Sequence, residues 1–233
     1  MIDFTPIQEF GEQFLLQELT FRQSVEIADI DKELDERRLT KLLSFILKSR
    51  QDPLKLTVQQ RYYFLLQYLY KQENTILDTN TRKQIPLYFK NTACSTWNIS
   101  LECGTQIIKQ MTGKEAEYWE LACATVPKKL AGMIAIQYVD TSIPELAEYP
   151  DPNCDQEVWK DLIQKRCAYL VDLPSSEFER IYTRFHELNC QLNSHLHIGL
   201  SKDGFCLYGG TDDAPMRFCA IDGVTRTIAE LEE

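Results

Sequence analysis

The chain has 233 residues, with 25 Lys and Arg against 35 Asp and Glu, and so a formal net charge of −10. At 44% hydrophobic and 26% charged residues, with 9 Gly and 9 Pro, it is ordinary globular material for one large domain or two small ones, which excludes disorder, collagen and low-complexity sequence. An acidic balance lacks the electrostatic footprint of a protein that grips nucleic-acid phosphates or an anionic membrane surface, so neither is expected as a partner.

Ile7, Phe10, Phe14, Leu15 and Leu19 follow the stripe of an amphipathic helix, which predicts a helix over 7–19. Thr20 with Gln23 forms a capping box for a second, short helix ending near residues 29–31. A longer helix over 34–49 points Leu39, Leu42, Leu43, Ile46 and Leu47 inward and Arg37, Arg38, Lys41 and Lys48 outward. Asp52-Pro53 ends it, because proline disfavours the helical conformation in the residue before it. Thr57 with Gln60 repeats the start signal for a helix reaching about Gln72. That helix is apolar almost all round, the mark of a helix at the middle of a module.

The period then changes. Residues 86–89 and 99–103 read as strands, 106–111 leads into a turn or helix start at Thr112-Gly113, and 114–124 reads as a helix placing Ala116, Trp119, Leu121 and Cys123 inward. Residues 130–139 fit either a strand or a buried helix, with helix favoured for the first half. Residues 142–152, with prolines at 144, 150 and 152, are a loop and the internal boundary. A helix over 156–171 aligns Val158, Leu162, Cys167 and Leu170, and a capping box of Ser176 and Glu179 starts another that reaches about Leu192. Residues 195–200, 204–208 and 216–220 read as short strands of a small sheet, and 228–233 as an acidic, frayed helix. The expected fold is α+β, with a helical N-terminal module (1–83), a mixed helix and strand region (84–150), and helices plus a small antiparallel C-terminal sheet (151–233).

No cationic stretch followed by an apolar segment opens the chain, so no secretory signal is expected. The most apolar runs, 64–70 and 131–138, fall short of the roughly 20 apolar residues of a membrane span, so the expectation is a soluble chain. Eight cysteines, at 94, 103, 123, 154, 167, 190, 206 and 219, include no CxxC pair, and without a signal they read as reduced, small hydrophobes.

All three histidines fall at 186, 195 and 197, near Cys190 and Cys206. Cys190, His195, His197 and Cys206 are ligand types suited to zinc, and a zinc-stabilised protein-binding domain is the alternative reading, although their spacing matches no familiar site. Cys190 with His186, one helical turn apart, is the one local pair with a nucleophile and a base. No glycine-rich phosphate loop is present, so no nucleotide cofactor is expected. The carboxylates Asp29, Asp31, Glu33, Asp35 and Glu36 read as a solvated run at a helix boundary. Tyr62, Tyr63, Phe64, Tyr68 and Tyr70, then Tyr88 and Phe89, are either core or an aromatic interface.

The order 19–28 (LTFRQSVEIA), Asp52-Pro53, 56–62 (LTVQQRY), 111–117 (MTGKEAE) and 131–137 (AGMIAIQ) is similar to segments of tailed-bacteriophage structural proteins. The resemblance covers roughly residues 19–137, with Met216-Arg217-Phe218 added, and it is carried by short helix-start phrases. It implies a virion component of the tail, a baseplate or hub subunit or a tail-assembly chaperone, made in the host cytoplasm. Such a protein binds other tail or baseplate subunits in an oligomeric assembly and carries no catalytic residues.

Overall fold

Threonine side chains begin three of the described helices. Thr20 accepts the Gln23 N–H while Gln23 returns to the Thr20 N–H, Thr57 and Gln60 do the same, and Thr112 and Glu115 form a further capping box. The computed structural model describes residues 7–9, 12–48, 51–72, 77–89, 99–193, 195–209 and 214–224. In chain order the elements are β1 (Ile7–Glu9), β2 (Glu12–Phe14), α1 (Phe21–Ala28), α2 (Asp35–Ile46), α3 (Val58–Lys71), α4 (Thr79–Gln84), β3 (Ser100–Cys103), β4 (Gln106–Lys109), α5 (Gly113–Ala122), α6 (Val126–Gln137), β5 (Tyr138–Asp140), α7 (Gln156–Asp172), α8 (Ser175–Leu192), β6 (His197–Ser201) and β7 (Gly204–Tyr208).

All strand pairs are antiparallel: β1 with β2, the order β3-β4-β5, and β6 with β7, where His197 faces Tyr208 and Gly199 faces Cys206. The fold is therefore α+β, helical in its N-terminal part and closing on a small antiparallel sheet. Buried side chains from Phe14 to Val224 form one contiguous cluster, so the segments 1–83, 84–150 and 151–233 contribute to a shared core. Among the described residues no helix is long and apolar enough to cross a membrane. The acidic tail over 228–233 and Cys94 lie outside the described residues.

Several expectations are corrected. Instead of a helix over 7–19 there is the β1–β2 hairpin, followed by extended chain bonded to the end of α2 through Gln17 N–H to Ile46 O (2.8 Å) and Lys48 N–H to Leu15 O (2.9 Å). Phe14 and Leu16 are buried and Leu15 is exposed, a period of two that the neighbouring apolar residues conceal. Residues 85–88 form a single 3-10 turn rather than a strand, with Pro86 in its first turn, where the fixed φ suits a helical start. Helix α8 starts at Ser175, with Pro174 rather than Ser176 in the cap position. Met216 makes one antiparallel bridge to Leu207, after which the Cys219 N–H donates to Asp222 (2.7 Å) and the chain turns, so 216–220 is not a strand. Residues 126–137 are helix and only 138–140 strand.

Helix α7 buries Trp159, Ile163, Arg166 and Leu170, leaving Val158 exposed and Cys167 half-buried. The face is turned because Arg166 points inward. Its guanidinium donates to Ala135 O (2.7 Å), Glu148 O (2.6 Å) and Tyr138 O, satisfying carbonyls at the end of α6 and in the loop beyond β5. Burial pulls its pKa down to about 10.

Helix α3 is the centre. Tyr62, Tyr63, Phe64, Leu65, Leu66, Tyr68 and Leu69 are all buried, so of the aromatics that could form an interface only Tyr70 of this helix is open to solvent. Two polar residues are buried with them. Gln59 accepts the His195 N–H (3.2 Å) and donates to Leu196 O (3.1 Å) and Asn193, fixing the turn from α8 into β6. Arg61 is fully buried and donates to Glu36 Oε2 (3.0 Å), Glu36 O (2.7 Å), Thr40 Oγ1 (2.9 Å) and Pro53 O (3.1 Å), while the Tyr62 hydroxyl donates to Glu36 Oε1 (2.8 Å). Glu36 therefore belongs to the interior, not to a solvated acidic run, and Arg38, expected outward, is buried and closes α1 by donating to Ala28 O (3.1 Å) and Ile30 O (2.6 Å). Gly113 lies against the Arg61 guanidinium, where a Cβ would come within 2.6 Å of Pro53 O.

Replacing Arg61 with methionine strands the Glu36 carboxylate and is expected to cost about 3–5 kcal/mol in urea unfolding. Gly113→Ala should cost about 1–3 kcal/mol in the same assay through overpacking against a backbone oxygen.

Candidate functional site

The structure spreads the Cys and His residues singled out by the sequence over α8, the segment before β6 and the β6–β7 pair. Cys190 lies on α8 with its sulfur 3.7 Å from His186 Nε2, and the exposed His186 ring stacks on Tyr182. His195 is buried before β6, with its backbone held by Gln59. His197 and Cys206 share a face of the β6–β7 pair, but the Tyr208 ring packs against His197 (centroids 4.9 Å apart) and over Gly199, which pairs with Cys206. Among the described residues no group of three or more His, Cys, Asp and Glu side chains stands ready to hold a metal ion.

The features that stand out surround α5. Its first turn is locked by the capping box: the Thr112 N–H and hydroxyl both donate to Glu115 Oε2 (2.7 Å each), and the Tyr149 hydroxyl donates to Glu115 Oε1 (3.2 Å). One face of α5 reaches α2, whose own cap residue, Leu34, has no side-chain oxygen to offer. Glu120 fills that role from across the fold by accepting the Glu36 N–H at 3.1 Å from each carboxylate oxygen. Burial pushes the Glu120 carboxyl up to about 7, the Glu36 N–H opposes this, and the charges of Glu36 and Asp35 add to it. Asp35 in turn pairs with Arg217 from the C-terminal segment.

Two grooves flank the far end of α5, on either side of Trp119 and Cys123. The first, of about 550 Å³, is walled by Leu34, Asp35, Glu120, Lys129, Asp203 and Arg217, so charges of both signs compensate one another and select no ionic ligand. The second, of about 440 Å³, lies between α5, α6 and α7 and is mostly apolar: Tyr118, Ala122, Ile136, Ile163, Ala168 and Val171, with Lys128, Gln164 and Asp172 among its polar residues. Val171 is 53% exposed beside it, and Leu121, expected inward, is 63% exposed at the end of α5. Cys123 and Cys167 both line this groove. A groove of this kind takes apolar side chains of a partner.

The sequence places Cys123 inward and Cys167 on one helix face, but the 43 positions between them carry no signal that they share a groove. Glu120 was not singled out, since its role depends on the distant end of α2. The chain matches no protein-family model, no curated protein and no solved structure.

Glu120 sets a pH dependence. An unfolded glutamate titrates near 4.5 and the folded one at about 7, so the native state keeps a proton that the unfolded chain releases between those values. Its contribution to stability is full below about 4.5 and is lost as pH rises through about 7. Asp222, raised to about 6 by burial, acts with the same sign. Glu120→Gln keeps an acceptor for the Glu36 N–H without the charge. Its melting temperature should match the parent protein's at about pH 4 and exceed it by a few degrees at about pH 8.

Proposed function

We propose that this chain is a non-enzymatic structural or assembly protein of a bacteriophage tail or baseplate, acting by docking other tail subunits. The observation that carries the docking part is the apolar groove between α5, α6 and α7, with Val171 exposed beside it. Exposed apolar surface next to a cleft is unfavourable in water and marks a surface that another chain covers. The setting comes from the resemblance of residues 19–137 to tailed-phage structural proteins. The first groove, with its mutually compensating charges, supports protein contact rather than a nucleic-acid or membrane partner.

Expressed in its host with a tag, the protein should copurify in defined stoichiometry with tail proteins or be found in purified particles. Val171→Lys, at an exposed position near the end of α7, should leave stability within about 0.5 kcal/mol and release the partner. Val158→Lys, on the same helix and outside the groove, should retain it. A lone monomer absent from particles would overturn the proposal.

A further inference from the structure

We propose that Cys123 and Cys167 form a redox-active dithiol that low-molecular-weight disulfides oxidise to an intramolecular disulfide joining the end of α5 to α7. The inference does not depend on the tail reading, because it concerns two side chains of the isolated protein.

Cys123 is the C-cap residue of α5, with non-helical φ −114° and ψ 76°, and residues 124–128 after it are exposed. Its backbone is therefore less constrained than a mid-helix position. Its sulfur occupies the space left by the missing side chain of Gly132 on α6, where a Cβ would come within 2.6 Å of it. Cys167, on α7, lines the same groove and is half-buried, open enough for a small reagent to reach. The disulfide requires the two sulfurs on the wall of this one groove to close to a bond length of about 2.05 Å.

The electrostatics divide the labour. The neighbouring Cys123 thiol holds the Cys167 pKa below the usual thiol range, with burial opposing this and the Lys128 ammonium adding to it. The neighbouring Cys167 and burial push Cys123 up, so it keeps its proton until the second step. Cys167 is the attacking group and Cys123 the resolving one.

In the first step the Cys167 thiolate attacks one sulfur of the disulfide RSSR. The S–S bond breaks, RS⁻ departs and takes a proton from solvent, and a mixed disulfide remains on Cys167. In the second, Cys123 loses its proton and attacks the Cys167 sulfur, and the remaining R group leaves as a second RSH. Two electrons and two protons pass from the dithiol to RSSR, which ends as two RSH. The product fixes the wall of the apolar groove covalently.

The test treats the purified, reduced protein with oxidised glutathione at about pH 7, traps remaining thiols with iodoacetamide, and maps peptides by mass spectrometry without reduction. A dithiothreitol-reversible Cys123–Cys167 linked peptide is expected, forming several-fold faster than glutathione adds to the exposed Cys154. Cys123→Ser should stop the reaction at a glutathione adduct on Cys167, and Cys167→Ser should abolish the cross-link. Failure of the linked peptide to form in the parent protein, or a linkage of either cysteine to another one instead, overturns the proposal without reference to any variant.

Discussion

A cation inside a helix that is buried on nearly every side is the constraint on which the rest of this fold depends. Removing the Arg61 guanidinium from water is tolerable only if partners are delivered to it, and both terminal nitrogens receive them while Nε has none among the described residues. Glu36 brings a carboxylate and a carbonyl from α2, Thr40 adds a hydroxyl, and Pro53 adds the carbonyl of the turn between α2 and α3. Those contacts set the approach of α2 to α3 and hold the turn over the guanidinium. They also leave room for no side chain at position 113, so that α5 can begin there.

The same economy of buried polar groups recurs away from this pair. Gln59 holds the backbone of His195 and Leu196, Arg166 holds the carbonyls that end α6, Arg38 holds those that end α1, and Glu120 caps α2 from α5. In each case a side chain from a well-formed helix satisfies an irregular segment or helix end that would otherwise leave polar backbone atoms unmet. Helix α5 is consequently fixed at its start by Thr112 and along its length by Glu120. Its end is the less constrained part, and both grooves and the Cys123–Cys167 pair lie there.

Local signals were legible where the interaction is local. The threonine caps at 20 and 57, the all-round apolar character of 62–69, the extents of α7 and α8 and the β6–β7 pairing follow from side-chain chemistry within a few residues. The helix expected over 7–19 failed because its apolar residues fit two periods at once, and contact with the end of α2 selects the extended one. The inward face of α7 was read from the spacing of Val158, Leu162, Cys167 and Leu170, which gives an arginine no place in it, whereas Arg166 finds three carbonyl acceptors only after α6 and α7 pack. Of the site, the individual cysteines 123 and 167 could be placed on faces but not together. The cluster of Cys190, His195, His197 and Cys206 looked plausible in sequence because proximity along the chain says little about convergence across a helix, a buried turn and a strand pair.

The sequence by itself determined the fold class, most of the helix starts and the helix that would be central, since hydrophobic period and capping chemistry act over one or two turns. Tertiary structure alone decided which charges would be interior and which thiols would share a groove. Those outcomes depend on partners dozens of residues away, and the free energy of burying Arg61, Glu120 or Cys167 is defined only once the surrounding elements have displaced the water around them.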